Sequence, residues 1–226
     1  MNTEKQYNKF SKRYSDNRGK QDKICDNDFY QMLNKNIAGA SVLDVGCGNG
    51  DDLLHIKHLG AREYGIEPSE EFVNDALSKG LNVQIGSGER LPFPANKFDY
   101  VISKYAIQTS PNVAKILQES ARVLKVNGIL HILVKHPLRQ FLEKKKFQQK
   151  PVNYFNQEIT ESIIYDGLIS LREPTHSMED YLNAAFFNNF EIIDYRENFD
   201  FPASEQINGD IYPTYFVLTA RKKDHD

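Results

Sequence analysis

Two cysteines in 226 residues are too few for a disulfide framework. They also lie in unlike surroundings, Cys25 in a polar N-terminal segment and Cys47 inside a glycine turn. This usage fits a reducing, cytoplasmic setting. No apolar run is long enough for a signal peptide or a membrane span, and the chain opens polar, as Met1-Asn2-Thr3-Glu4-Lys5-Gln6. A soluble protein with no membrane attachment is expected. Positive charge is not in excess either: 28 Lys and Arg against 31 Asp and Glu leave a net charge of −3. Without an overall basic field to gather polyanions, nucleic acid is disfavoured as a partner. No fixed-period repeat or low-complexity tract is present, which sets aside solenoid and fibrous folds. The length suits one sizeable core and is short for two, so a single domain over 1–226 is expected, as a monomer or homodimer.

What the chain does have is a glycine-rich turn. In Ser41-Val42-Leu43-Asp44-Val45-Gly46-Cys47-Gly48-Asn49-Gly50-Asp51-Asp52-Leu53 a short apolar run with one carboxylate set into it meets three glycines at alternate positions, and two acids then open an apolar-periodic segment. The pattern predicts strand, tight turn and helix. Glycines let a ligand approach the backbone with no Cβ in the way, and the first N–H groups of the helix are left to meet it. Two ligand classes use such turns. The dinucleotide fingerprint G-x-G-x-x-G, counted from Gly46, needs glycine where Asp51 stands, because the third glycine falls at Gly50. Asp44 adds an argument from charge: a carboxylate just before the first glycine repels a pyrophosphate and attracts a cationic amino acid. S-adenosylmethionine carries that ammonium and no phosphate.

The stretch closely resembles the first motif of the class I S-adenosylmethionine-dependent methyltransferases, roughly (V/L)-L-(D/E)-x-G-x-G-x-G. The resemblance, to the small-molecule (methyltransferase type 11-like) group, extends from about Tyr7 to Arg221 and is strongest from Val42 to Gly128. It implies an α/β fold: a Rossmann-like seven-stranded, mostly parallel sheet with the last strand antiparallel and helices on both faces. It also implies that Asp44 and the backbone of Gly46, Cys47, Gly48 and Gly50 hold the methionine part of the cofactor. Glu67 would meet the ribose, and Pro68 beside it is a further implied cofactor contact. Glu67 ends a short second strand 21 residues beyond Gly46, about one crossover, where a carboxylate can accept from both ribose hydroxyls. Alone at a strand end, such an acid is more often a capping or surface group. Lys97-Phe98-Asp99-Tyr100-Val101-Ile102-Ser103 resembles the family's F-D-x-V-x-S strand, which ends over the methyl group, so Lys104 and Tyr105 join the implied cofactor contacts.

Two motifs depart from the family pattern. Gly86-Ser87-Gly88-Glu89-Arg90-Leu91-Pro92-Phe93 is similar to the G-D-A-x-x-L-P-F loop, which implies that Ser87, Gly88 and Glu89 surround the adenine. Ser87 replaces the usual Asp, and a hydroxyl is a weaker acceptor than a carboxylate. Gln108 replaces the His of an L-H pair; it can orient an acceptor but cannot take its proton. The N/D-P-P-Y/F sequence of nucleic-acid amino methyltransferases does not follow Ser103.

The ends of the chain complete the expectation. Tyr7, Phe10 and Tyr14 share one helical face, an aromatic edge suited to packing on the body. The resemblance makes residues 1–38 a helical lid, with Phe10 and Tyr14 as cofactor or substrate contacts and a second helix over Asp28–Asn36. Residues 139–176 are the acceptor-side insertion, and the Lys144-Lys145-Lys146 run within it reads as a solvated face. The apolar strand Ile129–Val134 places His136 at its carboxyl end and His131 in its middle, as a core residue. His176 precedes Ser177, which with Asp180 forms a capping sequence and resembles a segment lying near the acceptor pocket in relatives. His136 and His176 are the candidate bases. His55 and His58 have no further ligand nearby, and no metal is expected. Phe190–Glu197 and Tyr215–Arg221 are the last two strands, joined by a loop over 199–213. The function expected is in-line methyl transfer from S-adenosylmethionine to a small-molecule acceptor, with O, N and C left open. An RNA or tRNA methyltransferase, a non-catalytic S-adenosylmethionine-binding protein and a nicotinamide dehydrogenase are the alternatives.

Overall fold

Strand β1 (Ser41–Val45) is buried at every position and is flanked by two parallel neighbours, β2 (Arg62–Glu67) and β4 (Phe98–Lys104). With β3 (Val83–Ile85), β5 (Leu124–Lys135), β8 (Phe190–Asn198) and β9 (Tyr215–Lys222), they form one seven-stranded sheet in the order β3-β2-β1-β4-β5-β9-β8. Strand β5 runs parallel to β4, and β9 inserts between β5 and β8, antiparallel to both. The expected sheet, with its last strand reversed, is present. This computed structural model describes residues 3–17, 24–33, 37–164, 167–200 and 209–224. Among these, no helix is long and apolar enough to cross a membrane.

Side chains of a strand alternate between faces, and that alternation divides the core. Leu43, Val45, Val101, Ile132, Phe216 and Leu218 go to one face, beneath helix α5 (Val113–Val123). Val42, Tyr100, Ile102, Leu133, Tyr215 and Val217 go to the other, against Phe29 of α2 (Ile24–Met32) and Ile56 of α3 (Asp51–His58). Helix α2 begins before the expected Asp28; residues 34–36, where it was expected to end, lie outside the described residues, as do 201–208 of the expected 199–213 loop. Helix α1 (Thr3–Asn17) packs on α4 (Glu70–Ser78), with Tyr7 and Tyr14 both against Phe72. His131 is buried mid-strand between Thr219 and the Phe29 carbonyl, and burial lowers its pKa to about 4.

The segment after β5 departs most from the sequence expectation. It forms α6 (Pro137–Gln148) and a separate hairpin, β6 (Ile159–Ile164) with β7 (Ile169–Pro174). Strand β6 escapes a search for alternating hydrophobics because its inward residues are polar: Thr160 and Ser162 are buried while Ile163 is exposed. The lysine run is not a uniform solvated face either. Lys144 is fully buried and donates to the carbonyls of Asn153 at 2.6 Å and Asn156 at 3.0 Å, whereas Lys145 and Lys146 are exposed. Beyond β7, the expected cap opens α7 (Met178–Tyr181), where the Ser177 N–H donates to Asp180 Oδ2 at 2.7 Å. Helix α8 (Ala184–Asn189) then leads into β8.

Arg122 at the end of α5 pins the loop that follows β3. Its guanidinium donates to the carbonyls of Phe93 (2.7 Å) and Leu91 (2.9 Å) while pairing with Glu119, whose carboxylate accepts the Leu91 N–H at 2.9 Å. Arg122→Ala is expected to lower stability by about 1–2 kcal/mol, a value discounted for the partly exposed side chain and measurable by urea denaturation.

Candidate active site

In an open α/β sheet, the crevice at the carboxyl ends of adjacent strands whose crossovers leave in opposite directions is the place a ligand can enter. Here those strands are β1 and β4. A cavity of about 320 Å³ opens at this point.

Its floor is the turn after β1. The Gly46 and Cys47 N–H groups both donate to the Ile66 carbonyl, at 2.8 and 3.2 Å, which ties the turn to β2. Gly46 has φ 78°, and a Cβ there would come within 2.2 Å of Ala106 Cβ. Gly46 and Gly48 line the cavity; Gly50 does not. Gly50 instead caps α3 beside α4, where a Cβ would meet Leu81 Cδ1 at 2.4 Å. Cys47 likewise turns inward, into a cluster with Leu53, Val73 and Val83. Asp44 is buried in β1 and is not among the cavity's lining residues, although Val45 beside it is.

Glu67 and Pro68 line the cavity from the end of β2. Glu67 Oε2 accepts the Gly48 N–H at 3.0 Å and Oε1 accepts the Ser69 N–H at 2.9 Å. Burial nevertheless pushes its carboxyl up to about pKa 7, outweighing both donors. Ser87, Gly88 and Glu89 form a further stretch of wall after β3. The Ser87 hydroxyl accepts the Glu89 N–H at 3.2 Å, and Glu89 Oε1 accepts from the Ser110 hydroxyl at 2.6 Å. Gly88 has a steric reason: a Cβ would sit 2.6 Å from Val45 Cγ1 and 3.3 Å from Ile116 Cγ2.

Lys104 and Tyr105 close the cavity from the end of β4. The Lys104 ammonium lies 2.6 Å from Asp52 and 2.9 Å from Asp26, over the ring of Tyr30, whose hydroxyl donates to Asp52. Tyr105 has φ 54°, uncommon for an aromatic residue, and its hydroxyl donates to Asp200 Oδ2 at 3.3 Å. Burial raises its pKa well above the ordinary phenol value.

Helix α1 covers the opening. Tyr7 and Tyr14 line the cavity, whereas Phe10 does not. The helix is bound at both flanks: Ser69 Oγ donates to Asn8 Oδ1 at 2.5 Å, and the Gln6 amide exchanges two hydrogen bonds with the backbone of Arg172 in β7.

Neither candidate base lines the cavity. His136 caps α6: its Nδ1 accepts the Leu138 N–H at 3.0 Å and its Nε2 lies 3.1 Å from Glu197. His176 is buried against Tyr181, with Nε2 on the Gln108 carbonyl at 2.9 Å and its own N–H on Gln140. Burial lowers the pKa of both. Each imidazole holds one backbone group, His136 the Leu138 N–H and His176 the Gln108 carbonyl, while His176 Nδ1 is buried with no hydrogen-bond partner among the described residues. Asp52 is the residue that sequence reasoning missed. It falls four positions before the buried Ile56, on the inward stripe of α3, and an acid on an apolar stripe was the available signal.

Residues 43–132 match the family model for a methyltransferase domain. The chain is 30% identical over 149 residues to the uncharacterized methyltransferase YcgJ of Bacillus subtilis (strain 168), an alignment covering 63% of this chain and 52% of that protein. It is 32% identical over 102 residues to a demethylmenaquinone methyltransferase of Listeria welshimeri, covering 41% and 43%. The chain therefore spans about half the length of these curated relatives. Among solved structures, a S-adenosylmethionine dependent methyltransferase from Mesorhizobium loti superposes with a TM-score of 0.68 at 19% identity, over 86% of this chain and 96% of that one. The [4+2]-cyclase SpnF superposes with a TM-score of 0.67 at 17% identity, over 97% and 94%. Likeness at this level is a statement about fold, and the fold is shared by more than one chemistry. The family match goes further than the fold, because it runs through β1 to β5 and so through the turn and strand ends that build the cavity: residues 43–132 are similar to a methyltransferase domain.

Proposed function

We propose that this chain transfers the methyl group of S-adenosylmethionine, in line, to a small-molecule acceptor. The observation that carries the proposal is a cleft lined by the glycine turn and Glu67 together with Tyr7 and Tyr14 of α1. Its volume is at the small end of the range for small-molecule pockets, about 300–1,000 Å³.

The residues present fit the cofactor. Each Glu67 oxygen already takes one backbone N–H and retains acceptor capacity for a ribose hydroxyl. The turn at Gly46 and Gly48 presents bare backbone to the methionine part, with Asp44 buried in the strand behind it. Ser87, Gly88 and Glu89 supply the adenine surroundings. The bound sulfonium supplies an electrophilic methyl whose leaving thioether departs neutral. The protein's part is then alignment and exclusion of water. Tyr7 and Tyr14, packed on Phe72 with ring centroids 6.2 and 5.6 Å away, line the cavity from α1. The buried thiols of Cys25 and Cys47 support a reducing, cytoplasmic setting.

The test is product formation. With S-adenosylmethionine and a small-metabolite filtrate, the protein is expected to release S-adenosylhomocysteine above background, and total RNA in place of the filtrate is expected to give none. Release with RNA alone would move the acceptor to a nucleic acid. Binding of the cofactor without release from any fraction would make the chain a non-catalytic binder.

A further inference from the structure

The last turns of α6 and the loop after it carry charge and apolar surface that the cavity does not use. Residues 144–157 hold four lysines and no acid, in a chain whose net charge is −3. Lys144 is buried, while Lys145, Lys146 and Lys150 are exposed. Two phenyl rings stand among them, Phe147 at 45% and Phe155 at 79% exposure, the second being the most exposed large apolar side chain among the described residues. Phe155 is held outward by a fixed loop. Lys144, one turn before Phe147, donates to the carbonyls of Asn153 and Asn156 on either side of Phe155. Asn153 Oδ1 accepts the Phe155 N–H at 2.9 Å, while Tyr154 packs its ring on Phe141 and accepts the Met178 N–H at 2.9 Å. The loop thus tucks one aromatic ring in and leaves its neighbour in water, at a cost that an outside apolar surface would remove. Gln157 then donates to the Pro111 carbonyl at 3.0 Å, and Pro111 lines the cavity. The next acid, Glu158, accepts from Gln148 at 2.6 Å and faces Lys144 and Lys150 rather than Lys145 and Lys146.

We infer that this face docks on an anionic lipid bilayer, with Lys145, Lys146 and Lys150 among the headgroups and Phe155, beside Phe147, at the boundary with the acyl chains. Charge is complementary: a lysine near an anionic bilayer gains attraction, and an aromatic ring at the boundary gains by leaving water. The manner of exposure favours a bilayer over a protein. Neither ring lines either cavity, and a fluid surface receives a single projecting ring where a protein partner would need a matching pocket. Helix α1 offers the contrast, since it exposes Lys9, Lys12 and Arg13 with no exposed aromatic ring beside them. Docking through the loop after α6 sets the Pro111 wall of the cavity toward the membrane. The inference does not depend on the cofactor assignment, and the two can fail separately.

Vesicle sedimentation tests the inference. Vesicles of phosphatidylcholine mixed with phosphatidylglycerol are compared with phosphatidylcholine alone, at about 0.1 M salt, where charges are screened beyond about 10 Å. The wild type is expected to sediment with the anionic vesicles only. Replacing Lys145, Lys146 and Lys150 together by Gln is expected to weaken binding by at least about tenfold, given roughly fivefold for each lysine near an anionic surface. Phe155→Ser is expected to weaken it by about threefold to tenfold. A charge-matched control on α1, with Lys9, Lys12 and Arg13 replaced by Gln, is expected to bind as the wild type does. All these positions except Phe155 are charged and exposed, and an unchanged urea midpoint shows that each variant is folded. The chain has no tryptophan, so Phe155→Trp adds a single reporter whose emission is expected to shift to the blue on anionic vesicles and not on neutral ones. A wild type that fails to sediment with the anionic vesicles overturns the inference and leaves the face to a protein partner. Equal losses in the two triple variants also overturn it, because attraction would then follow cationic charge in general. So does unshifted emission from the Phe155→Trp variant when bound, which would place the loop away from the bilayer.

Discussion

Replacing Gly46 with alanine is expected to destabilise the protein by about 2–6 kcal/mol and to abolish measurable cofactor binding, because two separate costs fall on one methyl group. Backbone at φ 78° is strained for alanine, at a cost of about 1–3 kcal/mol. The added Cβ would also lie 2.2 Å from Ala106 Cβ, so the turn or the segment after β4 must shift, for about 1–3 kcal/mol more. Gly39 separates the two terms. It has nearly the same φ, 76°, and nothing within 4 Å of its ideal Cβ, so Gly39→Ala is expected to show the backbone cost alone. Urea denaturation of the two variants measures the difference. The double variant Gly46→Ala with Ala106→Gly is expected to recover the collision part while leaving the strain. Equal losses at Gly39 and Gly46, or no recovery in the double variant, would mean that close approach of the two segments is not what requires glycine here. The consequence for function follows from position: Gly46 and Ala106 both line the cavity, so any shift that relieves the contact changes the shape of the floor.

The same residues show what a sequence can and cannot announce. The turn was legible because glycine at alternate positions after an apolar run has few other uses, and the sheet was legible because strands covered on both faces become nearly unbroken apolar runs, as Ile129–Val134 of β5 is apart from His131. The cap at Ser177 was legible because it is a local rule, complete within four residues. What could not be read depends on contacts far along the chain. Strand β6 turns Ser162 inward, where the ammonium of Lys135, from β5, reaches Ser162 and Glu173 beneath the hairpin. Lys144 is buried because carbonyls nine and twelve residues later need a donor. His136 has the right residue type at a strand end, yet the next residue is Pro137, which opens a helix, and the imidazole is used to cap it. Candidate bases were therefore named by type and position, while their actual work is set by which backbone groups would otherwise go unbonded. Asp52 was passed over for the opposite reason. An acid beside a glycine turn looks like ordinary N-terminal helix chemistry, and only the fold shows it facing Lys104 inside the cavity.

Affinity for S-adenosylmethionine is expected to fall as pH drops below about 7, by up to about tenfold per pH unit, and the slope is expected to vanish in Glu67→Gln. Burial holds the Glu67 carboxyl near pKa 7 in the folded protein, against 4.5 for the ordinary group. Ribose hydroxyls donate most strongly to the ionised form, so below pH 7 binding must first expel a proton. Protein stability has the opposite sign. Between about pH 7 and 4.5 the folded state binds the extra proton at Glu67, so this group's contribution to stability grows as pH falls through that window. His131 counters it. Its pKa is lowered from 6.5 to about 4, so the unfolded chain takes up the proton first and stability is lost as pH falls from 6.5 toward 4. The two shifts are similar in size and opposite in effect over nearly the same range, so a denaturation profile would show little of either. Binding separates them, because Glu67 lines the cavity and His131 is buried within the sheet. Calorimetry from about pH 8 to about pH 5.5, repeated in buffers of different ionisation enthalpy, is expected to show proton release on binding to the wild type but not to Glu67→Gln. A wild-type affinity that stays flat across this range, or a slope equal in both proteins, would show that the ribose is not held by this carboxylate.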